Sequence, residues 1–471
     1  MIRVRSTAGA TLAGLLLAGA TPQSAFAHGL VGKQDLPIPR WLFAWAAALV
    51  LVVSFVGLAA LWAKPRLQQV EERRLFGVPR ALEMLAGALG IAAFAFVVYA
   101  GFAGQQSATQ NVMPTAVYVL FWVGLPFVSA LVGDVFRAFN PWLAVGKAAG
   151  WVVRRVSGTV PEPLPYPERL GRWPAVAGVL AFAWVELAYA SKDDPSQLAV
   201  MALVYVVVQL VGMSLYGADI WSRRADPFGV YFGLFARISP LHWHDRAVYT
   251  RPPLAGAPPL SAVPGTVALL CTMIGTTSFD GFSQGSLWTS MADKLQTFFG
   301  DLGLNAERAL EAAGTVGLVG MVLFISGLYR LGAAGMHDVD RRLATGDLAR
   351  RFVHSLVPIA LAYVVAHYFS LLAYQGQAIA YLISDPLGDG ADAFGTASSA
   401  INYTWIGATG IWYVQCAALV GGHVAGLTLA HDRALAVYDQ PHKATRSQYW
   451  MLAVMVAFTS LGLWLLSASA Q

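Results

Sequence analysis

Apolar runs of roughly 17–25 residues recur near positions 41–62, 81–102, 115–135, 174–190, 198–218, 264–280, 314–332, 353–374, 404–430 and 449–468. About 20 helical residues rising 1.5 Å each cover a hydrocarbon core of about 30 Å, so each run is long enough to cross a bilayer. The pattern predicts an all-α, polytopic integral membrane bundle of about ten transmembrane helices, forming one domain over residues 28–471. The eighth run can continue toward Ile383.

The first 27 residues follow a different pattern. Arg3 and Arg5 precede an apolar stretch from Ala8 to Ala20 and a polar segment ending Ala25-Phe26-Ala27, the three-part arrangement of a secretory signal peptide. Cleavage after Ala27 makes His28 the first mature residue, on the outer side, with a free amine beside its imidazole. Those two nitrogens suit copper or zinc, although a peptidase must leave some residue at that position whatever its role.

Composition narrows the class further. With 57% apolar and 12% charged residues, the chain carries about half the charge of a soluble domain, which excludes a water-soluble fold. The formal charge of +5 does not point to nucleic acid, because the Lys and Arg are scattered over short loops. Of the 31 basic residues two lie in the leader, and Lys33, Arg40, Lys192, Lys294 and Arg308 fall in outer segments. The other 24, among them Lys64, Arg73, Arg154, Arg223, Arg341 and Arg351, fall inside. This asymmetry predicts a cytoplasmic-membrane protein with both mature ends outside. Cys271 and Cys416, both in apolar runs, form no metal or redox motif and read as packing residues.

Two inner loops, 157–174 and 251–264, are Pro-rich and read as extended cytoplasmic connectors. The third and fifth runs are followed by similar patterns, Asp134 then Phe139-Asn140-Pro141-Trp142, and Asp219 then Ala225-Asp226-Pro227-Phe228. They read either as a parallel internal repeat with aromatic stretches in the headgroup plane, or as ordinary turns after a span.

Candidate chemistry rests on ionisable residues within the apolar runs, because a charge or imidazole in hydrocarbon costs a few kcal/mol unless paired or hydrated. No GxxxxGK[ST] or HExxH motif is present, so ATP-driven transport by this chain alone is excluded and a zincin reading lacks support. Glu186 and Asp280 lie near the outer ends of the fourth and sixth runs, where either can serve as a base. His367 shares a helical stripe with Tyr363 and Tyr374, and His423 lies among Gly422 and Gly426, small residues that let another helix approach. His423 should therefore face protein. The two imidazoles can share a metal or a proton, with His28 added from above, or each can brace a neighbouring helix. A second set, His242-Trp243-His244-Asp245, His337-Asp338, His354 and His431-Asp432-Arg433, reads as a solvated, ion-paired cytoplasmic rim with its HxH in a loop.

The segment His28-Gly29-Leu30-Val31-Gly32-Lys33-Gln34-Asp35-Leu36-Pro37 resembles bacterial membrane proteins named fenitrothion hydrolase, as does Gly422-His423-Val424-Ala425-Gly426-Leu427 with Ala430-His431-Asp432-Arg433. The resemblance covers most of the mature chain and brings no catalytic residue with it. It implies hydrolysis of organophosphorus triesters, lipophilic small molecules that partition into the lipid bilayer. A metal held by His28, His367 and His423, with Glu186 or Asp280 as base, would supply that chemistry. The rival expectation is a membrane transporter or copper-handling protein with a His-rich transmembrane site, and a third is a scaffold whose histidines only pack.

Overall fold

The computed structural model describes residues 40–158 and 162–468, so the leader and His28 lie outside the described residues. The described residues are 71% helical. Among the described residues six helical stretches are long and apolar enough to cross a membrane: α2 (Arg80–Ala103), α3 (Val112–Val132), α7 (Pro195–Tyr216), α12 (Ala306–Val339), Thr345–Leu382 and α15 (Ala408–Val437). Thr345–Leu382 contains α13 (Thr345–Phe352) and α14 (Leu356–Gln375).

A multi-pass helical bundle therefore stands, but the expected count of about ten does not. Among the described side chains α1 (Arg40–Leu61) contributes the apolar stretch Trp45–Leu61, and α6 (Trp173–Leu187) has 15 residues. At 1.5 Å per residue α6 is about 22 Å long, short of a full core. Thr272, Thr276, Thr277, Ser278 and Asp280 interrupt the apolar run of α10 (Thr266–Ser283), the amphipathic α11 (Ser286–Asp301) follows it, and polar residues open α16 (Pro441–Ala468). Apolar side chains such as Val200, Val204, Val207 and Val211 of α7 face outward, as helices in lipid require.

α10, α14 and α15 make the centre. A Cβ on Gly422 would lie 2.3 Å from the Cβ of Ala362, and one on Gly426 would lie 2.9 Å from the Ser355 carbonyl oxygen. The two glycines thus let α15 press against α14, and His423, fully buried between them, faces protein as the sequence suggested.

The two Asx-Pro segments follow a similar backbone course. After α3, the short α4 (Val135–Phe139) turns back along α2, where a Cβ on Gly90 would lie 1.9 Å from the Phe139 carbonyl oxygen. After α7, α8 (Ala218–Arg224) turns back likewise, and Trp221 Nε1 donates to Gln209 Oε1 at 2.9 Å. Each return ends at an Asx-Pro tip that starts a further helix, α5 (Pro141–Ser157) or α9 (Pro227–Phe235), with φ −64° and ψ 111° at both Asn140 and Asp226.

The tips meet. Asp226 Oδ2 accepts from Asn140 Nδ2 at 3.1 Å and Trp142 Nε1 at 2.8 Å, while Oδ1 accepts from Tyr205 OH at 2.5 Å and the Phe228 amide at 3.2 Å. Tyr205 stands midway along α7, so this junction lies deep in the bundle. The aromatic stretches after each proline are therefore not in a headgroup plane: Trp142, Phe228, Tyr231, Phe232 and Phe235 are all buried.

One end of the bundle carries an antiparallel sheet, a departure from an all-α chain, in the order β1 (Arg73–Gly77), β3 (Ala247–Thr250), β2 (Leu241–His244). The HxH pair lies on β2 rather than in a loop. Its imidazoles stack at 6.0 Å, with His242 Nδ1 2.8 Å from Glu72 and His244 Nε2 3.0 Å from Asp245. Partial burial alone would raise the Glu72 carboxyl, but hydrogen bonds and charge from His242 and Arg251 outweigh it and hold the group below the usual range. A depressed carboxyl stabilises the fold above its unfolded titration range and loses that contribution as pH falls through the folded value. Hydrogen exchange of 72–77 and 241–250 should accelerate on acidification below about pH 4, by a factor equivalent to at most about 1 kcal/mol. In Glu72→Gln that acid step should disappear.

The Pro-rich loops also meet at this end and are pinned rather than loose. Arg172 donates from its amide to the Pro264 carbonyl at 2.7 Å and from Nη1 to Ser261 O and Thr266 Oγ1 at 2.9 and 2.8 Å. The connections bearing Lys64, Arg73, Arg223 and Arg341 belong to the sheet end, and those bearing Lys192, Lys294 and Arg308 to the opposite end.

Candidate functional site

Two helices bring two of the sequence candidates together. His367 lies past the middle of α14 and Asp280 near the end of α10, and His367 Nε2 is 2.9 Å from Asp280 Oδ2. The pair is deeply buried, at 8% and 0% exposure. In a low-dielectric interior, attraction between imidazole and carboxylate offsets their desolvation only with such contact geometry. Asp280 thus fixes the ring orientation of His367. The Tyr368 hydroxyl also bonds Asp280.

Glu186, near the end of α6, is buried as well and lies within electrostatic reach of Tyr118, Tyr231 and Tyr368. Both carboxylates sit close to the helix ends their sequence positions imply, yet neither opens to solvent. The tyrosines around them are missed by sequence reasoning, because a Tyr in an apolar run carries no signal beyond bulk.

A cavity of about 20 Å³ adjoins His367, lined also by Thr277, Ser278, Tyr363, Leu419 and Gly462. That volume holds about one water molecule. The stripe Tyr363, His367, Tyr374 does not converge: Tyr363 donates to the Phe458 carbonyl and Tyr374 to the Ile406 carbonyl, both at 2.8 Å.

His423 turns one ring nitrogen to its own helix. Its Nδ1 lies 2.7 Å from the Leu419 carbonyl oxygen one turn earlier in the same helix, and its ring stands 6.1 Å from that of Tyr363. Among the described residues no group of three or more His, Cys, Asp or Glu side chains is arranged to hold a metal. The expected copper or zinc centre thus finds no support, and His28 lies outside the described residues.

The inner His-Asp set divides. His242 and His244 form the ion-paired rim expected, whereas Asp432 is a buried anchor for the loop after α1. It accepts from Trp62 Nε1 at 2.9 Å, Gln68 Nε2 at 2.7 Å and the amides of Arg66 and Leu67 at 2.5 and 3.2 Å. His354 and His431 are buried beside it.

Gly281-Phe282-Ser283-Gln284-Gly285 fits the G-x-S-x-G pattern of serine hydrolases. The pattern requires a strand before the serine and a helix after it, but Ser283 closes α10, and its Oγ donates to the Asp280 carbonyl at 2.7 Å. It is a helix end, not a nucleophile elbow. Comparison of the chain with protein-family models, curated proteins and solved structures gives no match.

Proposed function

We propose that this chain is a multi-pass membrane transport protein in which the His367–Asp280 pair carries a proton during passage of a small solute. The observation that carries the reading is the pair itself, an imidazole in contact with a carboxylate inside an apolar bundle, beside space for one water. Such residues are expensive in lipid surroundings and mark ion and proton pathways. The interrupted helices meeting at Asn140 and Asp226 support it, since broken helices packed inside a bundle are a common transporter device. In this reading the chain lies in the cytoplasmic membrane with the sheet end inward, as the basic residues favour.

The test uses purified chain in vesicles loaded with the pH dye pyranine, with a potential set by potassium and valinomycin. Wild type should acidify the lumen, and His367→Ala and Asp280→Asn should lower that flux by about 100-fold while still melting cooperatively. Equal flux in all three proteins would overturn the proposal.

The same pair supports a second reading, phosphotriester hydrolysis, because an imidazole held by a carboxylate can activate a neighbouring water. The cavity has no room for a triester, so this reading requires α10 and α14 to part. Nitrophenol release from fenitrothion by the same vesicles, abolished in His367→Ala, would favour hydrolysis over transport.

A further inference from the structure

We propose that the groove between α1 and α15 binds an anionic phospholipid of the membrane leaflet at the sheet end, with an acyl chain in the groove and the phosphate on Arg66 and Lys64. The inference goes beyond the transport reading and does not depend on it.

The groove has a volume of about 300 Å³, with Ser54, Gly57, Leu61 and Trp62 on one side and Val424 and Thr428 of α15 on the other. Positions 54, 57 and 61, like 424 and 428, recur at helical spacing, so each helix turns one face to it. Gly57 keeps it open. A Cβ there would meet nothing within 4 Å, whereas Gly422 and Gly426, on the opposite face of α15, are pressed against α14. The Thr428 hydroxyl is spent within its own helix, donating to the Val424 carbonyl at 2.9 Å, so the walls are largely apolar. Val53 and Val56, next to the groove residues on α1, are each 60% exposed, as on a lipid-facing flank. The volume is roughly ten times a water's share of the liquid, room for about ten methylenes of one chain.

Charge at the end of the groove selects the lipid. α1 stops at Leu61, and Trp62-Ala63-Lys64-Pro65-Arg66 follows. Buried Asp432 fixes this segment by accepting from Trp62 Nε1 at 2.9 Å and from the Arg66 amide at 2.5 Å. The Arg66 guanidinium lies over the Trp62 ring, 4.8 Å from its centroid, and its Nη2 is 3.4 Å from the Leu61 carbonyl oxygen. Because Trp62 and Leu61 both line the groove, the guanidinium stands at its end. Stacking on an aromatic face leaves the in-plane N–H donors of an Arg available to a phosphate.

Neither Arg66 nor Lys64 is ion-paired with a carboxylate among the described residues. The acids nearby do not cancel them. Asp432 is occupied by the loop itself, Glu72 by His242 and Arg251, and exposed Glu71 lies five positions beyond Arg66. An apolar slot running along a helix, with two cations where that helix ends, matches a phosphate ester above its acyl chain. Basic pockets between membrane helices take anionic headgroups for this reason, and each Lys or Arg favours them about fivefold. A choline headgroup would instead bring a third cation to the same place.

Native mass spectrometry of the full chain in detergent, with added phosphatidylglycerol or phosphatidylcholine of identical acyl chains, reads the lipid retained. Wild type should hold one phosphatidylglycerol about tenfold or more tightly than phosphatidylcholine. Gly57→Leu fills the groove without a clash and should weaken that binding by about tenfold. Gly320→Leu, on α12, where a Cβ also meets nothing within 4 Å, should bind as wild type does. Arg66→Gln combined with Lys64→Gln should erase the preference between the two lipids. Ser54→Leu fills the same groove and serves if Gly57→Leu does not fold. Equal or no retention of the two lipids by wild type would overturn the site, as would unchanged phosphatidylglycerol binding in a folded groove-filling variant. None of these outcomes alters what the pyranine assay says about transport.

Discussion

Replacing Asp226 with Ala should cost about 3–5 kcal/mol, the range seen when one partner of a buried charged network is removed. The carboxylate is fully buried and accepts from Asn140, Trp142, Tyr205 and the Phe228 amide. Truncation leaves three side-chain donors without an acceptor and uncaps α9. Asn140 loses its contact across the junction, although it still caps α5 through the Leu143 amide at 2.9 Å. Asp226→Asn keeps the shape and one acceptor oxygen, so its loss should be about half as large. Thermal unfolding in detergent, followed by intrinsic fluorescence, measures both. If the Ala variant melted within about 2 °C of wild type, the junction would not be holding the hairpins together.

Gly422→Val should be nearly as damaging, for a steric reason. Even a single Cβ at 422 lies 2.3 Å from Ala362 Cβ and 2.7 Å from the Pro358 carbonyl oxygen, well inside van der Waals contact. Both neighbours belong to a packed helix and neither is a flexible side-chain tip. α14 and α15 must then separate by roughly 1 Å or more, and overpacking of this kind costs about 1–3 kcal/mol. The shift would displace Tyr363 and Leu419, which line the cavity beside His367, so proton flux should fall together with melting temperature. Gly421→Val is the control: a Cβ at 421 meets nothing within 4 Å, and that variant should behave as wild type.

Much of the site was legible residue by residue. His367, Asp280 and Glu186 stand out because ionisable groups in apolar runs need partners, and all three are buried in the bundle. The glycines flanking His423 announce a close helix contact, and the contact exists. Their pairing was not legible. His367 and Asp280 are 87 positions apart in the chain, and nothing in helical periodicity links one helix to another. The two histidines looked alike in sequence, yet one meets a carboxylate and the other a backbone carbonyl. Likewise Asp432 looked like rim charge because its neighbours His431 and Arg433 are polar; only the loop folded over it makes it an anchor.

The Asx-Pro repeat shows the same division. Sequence alone determines that Asn140 and Asp226 start helices, because Pro suits the first helical position and the Asx side chain caps it. It also determines a helical membrane bundle, through the length of its apolar runs. Whether those new helices lie on a membrane surface or return into the bundle depends on what covers their polar tips. That covering comes from distant segments, Tyr205 and Trp142 above all, so only tertiary structure decides it.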